Sequence, residues 1–137
     1  MYEASTQVRV RYGETDQMGY VYYGNYALYY EEGRTSAIRF LGVTYKNLEE
    51  IGIMMPVMNI NITYFRPAYY DELLTVKSTI RNLSKEDTEV TFHSEIYNEA
   101  GKKLNESSIR LAFVDAATRR KTRVPELLYD QLRGFFE

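Results

Sequence analysis

Asp16 lies in a short loop that leads into the one long helical pattern of the sequence. Thr15 precedes the aspartate, and the turn-forming run Gln17-Met18-Gly19 follows it. A loop aspartate usually shapes a turn, but a carboxylate can also act as a nucleophile or as a general base. Asp16 is therefore the candidate catalytic group, with a purely turn-forming role as the alternative.

Backbone amides follow the aspartate closely in sequence. The helical pattern begins after the aromatic run at 20–23, so the amides around Tyr23 and Gly24 have no acceptor within the helix. With the positive end of the helix dipole, they could stabilise the oxyanion formed when a carbonyl is attacked. A carboxylate and backbone amides without a general acid suit a thioester best, because a thiol with a pKa of roughly 8.5 leaves as a thiolate. The sequence offers no obvious acid.

The long helical pattern predicts an element at 25–41 with one buried face. Tyrosines, glycine, alanine and leucine recur there at helical spacing, namely Tyr26, Tyr30, Gly33, Ala37 and Leu41. Such a helix is roughly 25 Å long. Gly42 is a candidate C-cap, and a short second helix is expected at 44–50. Glu31 is expected to be a solvated helix residue, an ion-pair partner of Arg34 or a carboxylate behind the site.

Alternating apolar residues predict a strand before this loop, at 7–12, and four strands after residue 57. The residues expected to face inward in those four are Met58, Ile60, Ile62 and Tyr64; Leu74, Val76, Ser78 and Ile80; Val90, Phe92, Ser94 and Ile96; and Ile109, Leu111 and Phe113. Four consecutive strands joined as hairpins make an antiparallel sheet. The prediction is an α+β fold, with a curved five-stranded antiparallel sheet wrapped around one central helix and a short terminal helix at 125–136.

No linker or repeat interrupts the pattern, so residues 1–137 are expected to form a single domain. A single sheet on one helix leaves an edge strand unprotected. Self-association is the ordinary remedy, and a homodimer or homotetramer is expected.

Composition excludes several classes of function. The 137 residues include 17 basic and 19 acidic side chains, and this net charge of −2 argues against a nucleic-acid partner. There is no cysteine, which excludes disulfides, thiolate metal sites and cysteine nucleophiles. The only histidine, His93, falls on the polar side of a strand, so neither a Ser-His-Asp triad nor a metal site is expected. No apolar run is long enough for membrane insertion, and a cytoplasmic protein without a separate cofactor is expected.

Several stretches together resemble the signature of a known family. They are YGETDQMG at 12–19, VYYGNY at 21–26 and YEEGR at 30–34, followed by ITYFRPA at 62–68 and YDEL at 70–73. This order is similar to that of hotdog-fold acyl-CoA thioesterases of the 4-hydroxybenzoyl-CoA thioesterase type. The resemblance spans nearly the whole chain.

The resemblance implies a hotdog fold and hydrolysis of an acyl-CoA to a free acid and CoA, with sites formed between two protomers. Asp16 matches the catalytic aspartate, and the amide of Tyr23 matches the group that binds the thioester carbonyl. Some relatives carry a histidine where this chain has Tyr23. Tyr12, Gly24, Tyr22 and Asn25 complete the predicted site.

Arg119, Arg120, Lys121 and Arg123 form the one basic cluster of the sequence. The resemblance implies that Arg119 and Arg120, with Lys85, bind the CoA phosphates, and the alternative is a solvated turn. Two other functions stay open, namely an acyl-carrier-protein thioesterase and a non-catalytic protein that binds acyl-CoA or acyl carriers. The acyl group itself is not specified.

Overall fold

A computed structural model describes all residues from Met1 to Glu137. The main elements are β1 (Tyr2–Arg9), α1 (Tyr26–Phe40), α2 (Tyr45–Glu50), β2 (Ile53–Met54), β3 (Val57–Tyr64), β4 (Leu73–Ile80), β5 (Glu89–Tyr97), β6 (Lys103–Ala112), β7 (Val114–Asp115) and α3 (Glu126–Leu132). Single turns of 3₁₀ helix occupy Tyr12–Glu14, Tyr23–Asn25 and Arg133–Phe135. None of the helices is long and apolar enough to cross a bilayer.

Five strands form one antiparallel sheet in the order β1-β4-β5-β6-β3. This confirms the predicted five-stranded sheet with one long helix, but the predicted pairing was wrong at one place. β3 and β4 do not form a hairpin, since β3 pairs with β6 and β4 pairs with β1. The alternation of apolar residues predicts strands but not which strands pair. The segment around Pro67, which lacks an amide donor, leads the chain from β3 at one edge of the sheet to β4 beside the opposite edge.

The predicted face of α1 packs onto the sheet. Its fully buried members are Tyr26, Tyr30, Gly33 and Ala37, whereas Leu41 is half-buried. Gly33 allows a close approach to β4, because a Cβ there would lie 2.6 Å from Val76 Cγ1 and 2.9 Å from Ser78 Oγ. The helix therefore contacts β1 and β4 directly.

The first strand differs from its predicted bounds. It begins at Tyr2 and ends at Arg9, and Tyr12 lies in the following 3₁₀ turn instead. Small residues such as Ala4 hid the early part of the alternation, yet the strand pairs with β4 along its whole length. The predicted turn at Gly42 is confirmed, since Gly42 adopts a φ of +84°. The short helix predicted at 44–50 is also present as α2, and Thr44 caps it by accepting a bond from the Asn47 amide.

β3 is one of the two edge strands of the sheet and is exposed on both faces. The residues predicted to face inward include Met58 at 49% exposure and Ile60 at 42%, and only Ile62 is half-buried. The prediction that this face is buried was wrong for a single chain, because α1 lies mainly over β1 and β4. Its contact with β3 is at the Tyr64 end, where the Tyr26 ring packs against the Tyr64 ring. An apolar strand edge is thus left open.

Candidate active site

The Asp16 loop is a tight turn closed by the aspartate itself. The Asp16 amide donates to the Tyr20 carbonyl at 2.8 Å. Oδ1 accepts bonds from the Met18 amide at 2.9 Å and the Tyr20 amide at 3.3 Å. Asp16 therefore does shape its turn, but this uses only one carboxylate oxygen. Oδ2 accepts no hydrogen bond from the chain and is available for chemistry.

Asp16 and Tyr23 line the same groove, which has a volume of about 290 Å³. The rest of its wall is largely apolar and aromatic and consists of Met18, Tyr20, Val21, Tyr26, Tyr64, Phe65, Arg66 and Pro67. Such a wall excludes water from part of the groove and strengthens polar interactions inside it. The end of β3 supplies Tyr64 and the following loop supplies three more of these residues, none of which was part of the predicted site.

The amides at the start of the helical segment are free, as the sequence predicts. The Tyr22 amide donates to the Glu14 carbonyl at 2.9 Å and the Asn25 amide to the Tyr22 carbonyl at 2.8 Å, whereas the Tyr23 and Gly24 amides donate to no acceptor. Only Tyr23 lines the Asp16 groove. The ring of Tyr22 covers Gly24, where a Cβ would lie 2.7 Å from Tyr22 Cε2. The Tyr23 amide is therefore the better placed donor for an oxyanion.

Glu14 anchors the loop to α1 and was missed by the sequence reasoning. Its Oε1 accepts bonds from the Arg11 amide at 2.9 Å and the Tyr29 hydroxyl at 2.8 Å. Its Oε2 forms an ion pair with the Arg11 guanidinium at 2.8 Å. Burial by itself raises the pKa of Glu14, but the bonds from Arg11 and Tyr29 outweigh it and lower the pKa. The three-residue spacing of Arg11 and Glu14 was the sequence feature that could have indicated this ion pair.

The backbone of Glu14 extends this anchor to the turn that carries Tyr23. Its carbonyl accepts both the Tyr22 amide and the Asn25 side-chain amide, the latter at 2.9 Å. Asn25 thus positions the turn and does not itself line the groove. The loop that holds the carboxylate and the turn that holds the free amide are consequently fixed to each other.

Tyr26 fixes the opposite wall of the groove. Its hydroxyl accepts a bond from the Ala68 amide at 3.2 Å, and the Tyr64 ring packs against its ring at a centroid distance of 5.5 Å. Burial raises the pKa of Tyr26, so its hydroxyl stays protonated at neutral pH. The loop after β3 is held against the helix in this way.

Two other predicted site residues lie outside the groove of their own protomer. Tyr12 is 79% exposed and packs edge-on against the Tyr70 ring at 5.8 Å. Tyr22 packs against the Tyr23 ring at 4.7 Å and is also exposed.

The predicted phosphate-binding residues Arg119, Arg120 and Lys85 are all exposed, and they differ in their surroundings. The guanidinium of Arg119 contacts Met54 Sδ at 3.7 Å and lines a second cavity of about 580 Å³. Arg120 is exposed outside that cavity, and Lys85 is exposed in the turn between β4 and β5. Lys121 forms an ion pair with Glu89. No three His, Asp or Glu side chains approach each other closely enough to hold a metal ion.

Comparison with known proteins assigns the family. Residues 10–132 match the model of the thioesterase-like superfamily. YneP of Bacillus subtilis (strain 168), provisionally named an acyl-CoA thioesterase, is 42% identical over 101 residues, covering 74% of this chain and 72% of YneP. The acyl-CoA thioester hydrolase YbgC of Escherichia coli O157:H7 is 26% identical and is matched over 92% of both chains.

Solved structures agree with this assignment. A DHNA-CoA thioesterase from Staphylococcus aureus superposes with a TM-score of 0.89 at 31% identity, covering 99% of this chain and 90% of that one. The hypothetical protein TT1821 from Thermus thermophilus superposes with a TM-score of 0.87 at 32% identity, covering 95% and 97%. From its strand order, its central helix and these matches, we conclude that the chain has the hotdog fold and belongs to the thioesterase-like superfamily.

Proposed function

We propose that the protein hydrolyses acyl-CoA thioesters to a free acid and CoA. The observation that carries this proposal is the groove that Asp16 and Tyr23 both line. Asp16 Oδ2 and the Tyr23 amide both lack a hydrogen-bond partner within the chain. The names of YneP, YbgC and the Staphylococcus aureus structure support the choice of a CoA thioester.

In this proposal Asp16 is the nucleophile or the general base, and the Tyr23 amide stabilises the tetrahedral intermediate. Asp16 Oδ2 either takes a proton from the attacking water or attacks the carbonyl carbon itself. The Tyr23 amide donates to the oxygen as it becomes negatively charged. Collapse of the tetrahedral intermediate expels CoA as a thiolate, which needs no acid because its pKa is roughly 8.5. When water is the nucleophile, this step gives the free acid directly. When Asp16 is the nucleophile, it leaves a mixed anhydride on Asp16, which water hydrolyses to the free acid and the restored carboxylate.

We further propose that the working enzyme is a homodimer joined through β3. A homotetramer would consist of two such dimers. The exposed apolar edge of β3 can pair with β3 of a second copy, which would extend the sheet and cover Met58 and Ile60. In an antiparallel pair related by a two-fold axis, the Val57 end of one strand lies opposite the Tyr64 end of the other. Because Tyr64 lines the Asp16 groove, the substrate would lie between two protomers.

A panel of acyl-CoAs tests the function, with release of CoA followed by a thiol-trapping reagent. We expect turnover on at least one acyl class, with a higher kcat/KM for the CoA thioester than for the same acyl group on a carrier protein. Tight binding of acyl-CoA without thiol release would identify a binding protein instead. A preference for the carrier-linked substrate would identify an acyl-carrier-protein thioesterase.

A further inference from the structure

Arg34 is a buried cation without an ion-pair partner. Only 5% of its surface is exposed, and its Nε has no hydrogen-bond partner. None of the seven ion pairs in the protein includes Arg34. Of the alternatives for Glu31, the ion pair with Arg34 is therefore not formed, and Glu31 is an exposed helix residue. Since a buried guanidinium without a counter-charge is costly, its position calls for an anionic partner.

The guanidinium lies at a cavity, here called the Arg34 cavity, which is the 580 Å³ space that Arg119 also lines. Most of its wall is apolar and includes Ile53, Met54, Met55, Pro56, Val57 and Leu111. Arg34 also neighbours the Tyr45 phenol, whose pKa is raised by burial and lowered by the guanidinium. A space with apolar walls and one buried cation matches a ligand that has an apolar body and an anionic end.

Three other charged side chains line the cavity, namely Glu31, Glu49 and Arg119. All three are exposed, in contrast to Arg34. Water screens exposed charges far more than buried ones, so the two carboxylates at the mouth oppose a bound anion weakly, and Arg119 offsets them. The electrostatic potential at the buried end of the Arg34 cavity is therefore determined mainly by Arg34.

We propose that Arg34 binds a carboxylate at the far end of the acyl group, so that the substrates are ω-carboxyacyl thioesters. The inference rests on the proposed function and on pairing through β3. Within one protomer the two sites lie at opposite ends of β3, which are roughly 23 Å apart at about 3.3 Å per residue. In the antiparallel pair, the Val57 end of the partner's β3 lies next to the Tyr64 end of the first protomer's β3. The partner's Arg34 cavity therefore lies beside the Asp16 groove of the first protomer.

A guanidinium matches a carboxylate through two parallel hydrogen bonds, which gives both affinity and geometric selectivity. A methyl-ended acyl chain would contact the same apolar walls but leave the guanidinium without an anionic partner. Arg34 is therefore a specificity-determining residue and takes no part in breaking the thioester bond.

Binding of non-hydrolysable analogues tests the proposal directly. Thioether analogues of CoA with octyl, ω-hydroxyoctyl and ω-carboxyheptyl chains would be titrated by calorimetry into the wild type and Arg34→Met. We expect the carboxylate-ended analogue to bind the wild type about tenfold or more tightly than the methyl-ended one, and this preference to vanish in Arg34→Met. Equal binding of the hydroxyl- and carboxylate-ended analogues, or the same preference in both proteins, would overturn it. Methionine is apolar and of similar length, so the variant is expected to fold.

Mixed dimers test which protomer supplies Arg34. Asp16→Asn and Arg34→Met chains carrying different tags would be co-expressed and the mixed dimer isolated. We expect it to recover the preference for the ω-carboxyacyl-CoA over octanoyl-CoA in kcat/KM that the Arg34→Met homodimer lacks, because its one active site combines an intact Asp16 with the partner's intact Arg34. No recovery in a folded mixed dimer would overturn the shared arrangement.

These two experiments separate the inference from the proposed function. Selective binding without hydrolysis by the wild type would refute the thioesterase and leave the Arg34 site standing. Hydrolysis without any selectivity for the carboxylate would refute the Arg34 site and leave the thioesterase standing.

Discussion

The Tyr29 hydroxyl donates a 2.8 Å hydrogen bond to Glu14 Oε1 and thereby ties the loop of the candidate catalytic carboxylate to the central helix. Because the Glu14 carbonyl also holds the turn that presents the Tyr23 amide, one residue sets the relative position of both groups. Exact positioning of this kind matters more for turnover than for binding.

Replacing Glu14 by Gln should destabilise the protein at neutral pH and lower kcat. The pKa of Glu14 is lowered in the folded state, so its charge stabilises the fold above the unfolded pKa of about 4.3 and this contribution is lost as pH falls through the lower folded value. Thermal unfolding from pH 7 down to pH 3 should show a gap between wild type and variant that closes on acidification. Glu50→Gln, at an exposed site on α2, is the matched control and should show no such gap; a gap for Glu14→Gln that is independent of pH would contradict the assignment.

Replacing Gly33 by Ala should destabilise the protein although alanine favours helices. The added Cβ would come within 2.6 Å of Val76 Cγ1, and overpacking of this kind costs about 1–3 kcal/mol. The gain in helix propensity is at most about 1 kcal/mol. Chemical denaturation measures the net change, and a stabilised variant would show that α1 is not held this close to β4.

Replacing Ile60 by Glu should break the proposed dimer. A pair of like charges buried at the β3 edge is unfavourable in the assembly, while the same side chain is 42% exposed in a single protomer. Sedimentation velocity should show a folded monomer, and acyl-CoA hydrolysis should be lost with it. Ile51→Glu is the control, because Ile51 is similarly exposed but lies at the end of α2. An Ile60→Glu protein that remains oligomeric and active would rule out pairing through β3.

Arg119 and Arg120 should respond differently to alanine substitution, although both were predicted to bind phosphate. Arg120 is exposed outside the Arg34 cavity, so Arg120→Ala should raise KM for an acyl-CoA and leave KM unchanged for the matching N-acetylcysteamine thioester, which has no phosphates. Arg119 lines the cavity, so Arg119→Ala should raise KM for both substrates. Steady-state kinetics on the two thioesters measures the difference, and an unchanged kcat is expected throughout. A rise in KM confined to the full CoA thioester for both variants would return Arg119 to the phosphate site.

Local signals in the sequence were enough to predict the helix, the strands and the aspartate loop. The helix is marked by Tyr26, Tyr30, Gly33 and Ala37 at helical spacing, and all four are buried. Strand pairing was not predictable in the same way, because β3 and β4 are neighbours in sequence while loop 65–72 carries the chain past the hairpin position. Patterns of alternation contain no information about which strand lies next to which.

In the candidate site, too, the local features were predictable from the sequence and the long-range contacts were not. Asp16 and Tyr23 lie in one groove, as the loop-to-helix order suggests. Glu14 was missed because its partner Tyr29 lies fifteen residues away and their contact depends on how the loop folds back on α1. Arg34 could not be recognised as unpaired, since Glu31 stands three residues before it at a spacing that usually forms an ion pair. Only the three-dimensional arrangement reveals contacts of that kind.

The most direct test of the central claim is the rate of acyl-CoA hydrolysis by Asp16→Asn. The asparagine keeps an Oδ1 that can accept the Met18 and Tyr20 amides, so the loop should keep its shape while the free carboxylate oxygen is replaced by an amide nitrogen. We predict that kcat falls by about 10²–10⁴-fold, with an unchanged oligomeric state and melting temperature, while Asp130→Asn on the exposed surface of α3 retains full activity. Hydrolysis at the wild-type rate by a folded Asp16→Asn protein would contradict the assignment of Asp16 as the group that attacks the thioester.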